Sequence, residues 1–380
     1  MSALDPLDPA QPRAPSLDGL RGAAAVAVVA FHCFEATALP DRARALWLAS
    51  PLGILVNGPG AVHLFFVLSG YVLTLTLLRE RGAAGLTRYY LRRLFRIQPP
   101  YMAAVLFAWA VSALYAPGGR VSVAGMRIVH VAAARLPVAL AFPSMAFGQL
   151  PVGWSLYVET WMSILFPLWL AIARRVHPLA PLALGIGLAW LHHPWLRFLV
   201  FTLDFALGIA LYLERARCAR WLGRLGRLRW ALWVLAALAL IQAPYALAWQ
   251  RMGRAELLRG HDPTVVLCMG LGSAMLVAAV LYAPALRRLF SRAVAIFAGR
   301  VSYSLYLVHF PVLAGLLSAR GASVPAALGA PFFAIVLALS TALAWLGFRF
   351  VEQPAIRAGR ASIRALELAL TRGRSALRRG

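Results

Sequence analysis

The chain is predicted to be an all-α integral membrane bundle of about ten transmembrane helices with both termini in the cytoplasm. Three observations carry that expectation. Apolar residues make up 61% of the 380 and charged residues only 13%, whereas a soluble domain of this size must clothe its surface in polar groups. The apolar residues gather into ten runs of membrane-spanning character, at about 19–36, 61–78, 99–115, 154–173, 179–193, 195–213, 230–249, 263–283, 302–319 and 326–348. The fifth is short and turns into the sixth through His192-His193-Pro194. Arginine alternates in density between the runs. The connections after spans two, four, six and eight hold 18 arginines, against 10 in the others when Arg197 is counted with them. Seven more lie from Arg357 to Arg379. The arginine-rich side is the cytoplasmic one by the positive-inside rule.

All 38 basic residues are arginine, none is lysine, and the formal net charge is +25. The arginines sit between apolar segments rather than on a soluble basic face, which argues for anionic lipid headgroups and against nucleic acid as the partner. Cys33, Cys218 and Cys268 show no C-x-x-C spacing, so neither a disulfide framework nor a metal site is indicated. Residues 1–16 are rich in Pro and Asp rather than basic, and the first apolar run is expected to be retained rather than cleaved. The expected division is a short cytoplasmic segment at 1–16, a membrane domain at 17–354 and a basic cytoplasmic tail at 355–380. The tail alternates arginine with Ala, Leu and Ile, as an amphipathic helix lying on the inner leaflet does. No repeat of 20–50 residues is visible.

The first span carries Asp18, Arg21 and His32. Eleven residues close about three helical turns, so Arg21 and His32 share a face about 16 Å apart along the axis, with Asp18 one turn before. Ionisable groups inside a membrane helix are costly and mark function by default. Imidazole has the pKa to take a proton from a hydroxyl near neutrality, although a lone interhelical histidine is the commoner case. Asp18 also fits a helix N-cap. In the second span, Ser69 and Gly70 are small groups suited to close helix approach.

The second connection repeats Arg88, Arg92 and Arg96 every four residues, with Arg93 beside them and Tyr90, Leu94 and Ile97 on an apolar side. Such a helix at the inner surface suits a phosphate-bearing donor or plain lipid contact. Pro99 is expected to break it before the third span. The fourth span opens with Trp154, Ser155, Tyr157 and Glu159, running from outside to inside. Glu159 is thereby expected near the outer interface, orienting an acceptor hydroxyl or pairing with an arginine. Ser302, Tyr306 and His309 form an i, i+4, i+7 polar seam in the ninth span, with Tyr303 beside it and Pro311 beyond. Asp204 in the sixth span has no partner legible in the sequence, and Glu352 is placed to pair with cytoplasmic arginines.

Six ordered motifs resemble those of the acyltransferase 3 family of integral-membrane O-acyltransferases, over Leu17 to about Pro354. They are Leu17-Asp-Gly-Leu-Arg-Gly-Ala with His32 eleven past Arg21; Phe65-Phe-Val-Leu-Ser-Gly-Tyr71; Arg93-x-x-Arg96-Ile-x-Pro99-x-Tyr101; Trp154-Ser-Leu-Tyr-Val-Glu159; Ser302-Tyr-Ser-Leu-Tyr-Leu-Val-His309-x-Pro311; and Glu352-x-Pro354. The resemblance implies a ten-span bundle that moves an acyl group, usually acetyl, from cytoplasmic acyl-CoA to a hydroxyl. The acceptor it implies is a surface or secreted carbohydrate, or a macrolide or other small molecule. It makes His32 and Arg21 central to catalysis and links Arg93 and Arg96 to the donor; the reading of the residues adds Glu159 and Asp18 as catalytic candidates and Arg92 and Tyr101 as donor-side candidates. Trp154, Ser155, Ser69, Tyr303 and His309 are the candidates for acceptor contact. The inner membrane is the expected location. Two departures stand out: Gln98 where an aromatic residue often precedes the proline, and Thr160 where a second acidic residue is common. The alternatives are an O-acyltransferase of a macrolide or lipid acceptor and, from another class, a proton-coupled transporter or flippase using His32, Glu159, Asp204 and His309 as a relay or to bind substrate.

Overall fold

The computed structural model describes residues 14–115, 120–123, 126–129, 132–141, 150–189, 194–257, 262–320 and 323–377. Residues 1–13, which hold most of the N-terminal segment, the pair His192-His193, and the last three residues of the tail lie outside the described residues. In chain order the helices are α1 (Pro15–Ala36), α2 (Asp41–Ala49), α3 (Gly58–Leu77), α4 (Gly82–Tyr115), α5 (Leu136–Ala141), α6 (Gly153–Arg175) and α7 (Ala180–Ala189). They continue with α8 (Thr202–Leu213), α9 (Arg215–Leu222), α10 (Arg227–Leu257), α11 (Pro263–Tyr282), α12 (Pro284–Phe290), α13 (Ala293–Arg320), α14 (Gly329–Gly347) and α15 (Gln353–Leu377). Over its described residues each of the ten apolar runs is predominantly helical. Among the described residues seven helical stretches are long and apolar enough on their own to cross a membrane, and Phe198–Leu213 is a shorter apolar one. The chain is a multi-pass helical membrane protein.

Local chemistry starts these helices where it should. Pro15 opens α1, where its missing N–H costs nothing. The Asn57 side chain accepts from Gly60 N–H at the head of α3, and the Asp262 side chain accepts from the N–H groups of Thr264 and Val265 at the head of α11. Asp18 is not an N-cap: it lies inside the first turn of α1, behind Ala14 and Pro15.

Two expected boundaries are absent. Pro99 and Pro100 lie inside α4, which runs unbroken for 34 residues from the basic connection into the third span. Two adjacent prolines remove the backbone donors that would have met the carbonyls of Phe95 and Arg96, yet the helix is continued by its packing. Likewise a π-turn at Phe348–Glu352 carries α14 directly into α15, so the tail begins as a continuation of the last span. Further on, α15 packs against α4.

At the centre α1 lies against α13, with α3, α8 and α11 around them. The approach of α1 and α13 is backbone on backbone. A Cβ on Gly299 would stand 2.0 Å from the carbonyl oxygen of Asp18, and one on Gly22 would stand 2.5 Å from the amide nitrogen of Gly299. Only glycine admits that distance, as is usual where membrane helices pack without a hydrophobic drive between them. Away from this crossing, the two helices' following segments meet again as a parallel pair of short strands, β1 (Thr37–Ala38) with β4 (Val324–Pro325). A second two-stranded sheet, β2 (Arg120–Val123) with β3 (Met126–Val129), is an antiparallel hairpin that lies against α1, α4 and α13.

Candidate active site

A cavity of about 570 Å³ opens among α1, α3, α4, α6, α13 and α15. Its mouth is basic: Arg21, Arg92, Arg96 and Arg360 line it, and Arg92 and Arg360 are exposed. Its flank is apolar, built by Val62, Phe65, Phe66, Val72 and Leu73 of α3. Its far end is polar and buried, where the hydroxyls of Ser155 and Tyr306 share a hydrogen bond of 2.7 Å and Tyr306 also reaches the Val152 carbonyl at 3.2 Å. A charged rim, an apolar throat and a few convergent polar groups describe a ligand site of ordinary size.

The arginines of α4 divide their work. Arg88 pairs with Glu80 at 2.7 Å and with Glu367 of α15 at 3.1 Å, and Arg92 pairs with Glu80 as well. Arg93 turns inward and holds Glu159 at 2.6 Å, with Ser163 accepting two further bonds at 2.8 and 3.1 Å. Arg96 makes no ion pair among the described residues and faces the cavity.

The expected depth of Glu159 is thereby corrected. Topology placed it near the outer interface and Arg93 near the inner one, yet the two touch. The basic stretch of α4 is one helix with the third span, and Arg93 on it meets the second turn of α6. Glu159 lines the cavity as the counter-ion of Arg93. Tyr101 is a second correction: its hydroxyl donates to the Ala139 carbonyl at 2.7 Å, so it secures α5 and is no part of the cavity wall. Gln98 does the same work, its amide reaching the carbonyls of Leu140 and Ala141 at 2.6 and 3.0 Å.

Arg21 lines the cavity with Asp18 3.8 Å away on the same helix. His32 does not line it. The imidazole lies one layer beyond the closed end, 4% exposed, stacked on His309 with ring centroids 5.2 Å apart and 27° between planes. Phe31 and Phe310 close its other sides at 4.8 and 5.2 Å. His309 in turn lies 5.9 Å from the ring of Tyr306, which is the cavity wall. Arg21 and His32, expected on one helix face, therefore belong to two compartments, a basic-mouthed cavity and a buried histidine pair, with Tyr306 between them.

The geometry settles one tautomer. The Nδ1 of His309 lies 3.2 Å from the carbonyl oxygen of Leu305. A carbonyl only accepts, so Nδ1 carries the proton and Nε2 is left with its lone pair. That Nε2 and the Nδ1 of His32 are both buried without a hydrogen-bond partner among the described residues. Buried polar atoms are seldom left so, and here two lie in adjacent rings.

Ser69 and Tyr303 line the cavity, Tyr303 giving its hydroxyl to the Ile97 carbonyl at 2.9 Å. Trp154 sits behind the wall, its ring against Phe66 and Phe201. The partner of Asp204, not legible in the sequence, is His63 at 2.8 Å; the two belong to different spans and no local spacing links them. Glu352 accepts from Ser304 at 3.2 Å and makes no ion pair among the described residues. Arg360 was not singled out from the sequence, although its amphipathic spacing within the tail was the available signal. The buried Arg44–Glu35 pair at 3.0 Å, which closes the end of α1 beyond His32, gave no signal at all.

Comparison with known proteins bears on what this arrangement is for. No curated protein matches the chain and no solved structure matches it. A family model described as an acyltransferase domain matches residues 15–349, from the first turn of α1 to the π-turn before α15. That span takes in the glycine crossing, the histidine pair and five of the six helices that wall the cavity, and the chain belongs to the acyltransferase 3 family of membrane O-acyltransferases.

Proposed function

We propose that this acyltransferase takes its acyl group, acetyl in the simplest case, from acyl-CoA on the cytoplasmic side of the inner membrane. The acceptor is a hydroxyl of a surface or secreted carbohydrate. The observation that carries the reading is the cavity with an arginine rim at one end and a histidine pair just beyond the other. Guanidinium groups bind phosphate in bidentate fashion, and the rim offers Arg21 and Arg96 to the donor's phosphates. Arg21 stands about 16 Å from His32 along α1, too far to act on the same carbonyl, which assigns it to the donor rather than to the developing oxyanion. The separation suits the donor. A pantetheine arm has about a dozen bonds between diphosphate and sulfur, or roughly 14 Å when extended at the rise of such chains.

His32 then serves as general base. It takes the proton of the acceptor hydroxyl as that oxygen bonds to the thioester carbonyl carbon. The carbon–sulfur bond breaks as the tetrahedral species collapses, and the departing thiolate receives the proton. His309, whose open Nε2 only accepts, takes a hydrogen bond from a neighbouring hydroxyl of the acceptor and so keeps the reacting one in line. The Tyr306 side chain must swing from Ser155 for the two compartments to join. The purified protein in bilayers, given acetyl-CoA and a glycan fraction, is expected to release CoA and leave acetyl on the acceptor. Substrate uptake without CoA release would instead support transport.

A further inference from the structure

The family model stops at 349, but the cavity does not. Gln353, Ile356, Gly359 and Arg360 of α15 line it, spaced i, i+3, i+6 and i+7 so that one face of the helix is turned inward. This face is fitted to α4. A Cβ on Gly359 would stand 2.8 Å from Cβ of Phe95, so only glycine lets the two helices close. About two turns further along, Glu367 is held by Arg88 of α4 at 3.1 Å. At its root, Glu352 is tied to Ser304 of α13. A tail that merely lay on the leaflet would need neither a glycine contact nor a specific ion pair to the bundle. Arg360, held at the rim by these three fastenings, makes no ion pair among the described residues, and nor does Arg96 on the helix it packs against.

We propose that α15 is a wall of the donor site and that Arg360, together with Arg96, grips the phosphates of the donor. The inference rests on the acyl-CoA reading above and extends it to a residue beyond the family-matched region. The ligand chemistry is a phosphate dianion or diphosphate, which a nucleotide thioester and an anionic lipid headgroup both offer, and the experiment separates them.

The full-length protein is reconstituted in neutral and in anionic bilayers. The KM for acetyl-CoA and the Kd values of CoA and of pantetheine, which lacks phosphate, are measured for wild type, Arg360→Gln, Gly359→Leu and, as control, Arg357→Gln on the exposed side of the same helix. Arg360→Gln is expected to melt as wild type does and to weaken CoA and acetyl-CoA about tenfold, the size of one charge-assisted bond, with pantetheine unchanged in either bilayer. Gly359→Leu, which forces α15 off Phe95, is expected to weaken CoA similarly, and Arg357→Gln to weaken nothing. Equal CoA affinity in Arg360→Gln and wild type overturns the proposal, as does an effect that follows bilayer charge and is the same for CoA and pantetheine. A wild type that neither binds CoA nor turns over acetyl-CoA overturns the acyl-CoA reading itself.

Discussion

One hydrogen bond, from Nδ1 of His309 to the Leu305 carbonyl, decides which ring nitrogen is open to chemistry in the histidine pair. His32, stacked on it, is the base in the proposed transfer, so His32→Ala is expected to lower kcat about 10²- to 10⁴-fold. Membrane insertion and the Kd of CoA should be unchanged, because the donor phosphates sit three turns away; kinetics and calorimetry on the same preparation check both. The His63–Asp204 pair is a different matter, since Asp204 is 0% exposed and none of its contacts reach the cavity. Removing one member of a buried pair strands the other, so Asp204→Ala is expected to cost about 3 kcal/mol, visible as a lowered melting temperature in detergent. At this scale the sequence revealed which ionisable residues are unusual but not whom they meet. Asp18, Arg21 and His32 could be aligned because they share one helix. Arg93 with Glu159 and His63 with Asp204 could not, because each pair joins two helices whose relative depth no local spacing records.

Helix positions were legible from apolar runs, and helix ends less so. Proline was read at Pro99 as a stop, whereas packing on both sides carries α4 through it; a local cost was outweighed by tertiary contact. The same reasoning explains why the tail was read only as a leaflet helix. Its amphipathic spacing is equally suited to lipid or to another helix, and only the glycine at 359 and the partner of Glu367 decide between them. Glycine also governs the central crossing. Gly299→Val places two methyl groups where the Asp18 backbone stands, so the variant is expected to separate α1 from α13 and to yield little folded protein by size-exclusion profile and melting curve, with Gly299→Ala intermediate. Small residues at a membrane crossing act through distance of approach rather than through any contact of their own.

For the molecule as a whole, the positive-inside rule predicts that both ends of the chain and the arginine-lined mouth of the cavity face the cytoplasm. Reporter fusions after Arg292 and at the C-terminus are expected to report cytoplasm, and one in the 116–131 connection the opposite side; a C-terminal reporter on the far side would reverse the donor's direction of approach. The division of the polar interior into two compartments was not legible in the sequence. Helical arithmetic can put Arg21 and His32 on one face, but it does not reveal that Tyr306 of a different helix stands between them.

The strand pair Thr37–Ala38 with Val324–Pro325 has a mechanical consequence. α1 and α13 are held together at their glycines and again where the chain leaves each helix, so they are expected to move as one body. The two imidazoles, one on each helix, are then expected to keep their spacing through turnover. Any helix motion that admits an acceptor is therefore expected on the α4 and α6 side, where Ser155 of α6 holds the Tyr306 side chain of α13, and a covalent cross-link between α1 and α13 is expected to leave turnover unchanged.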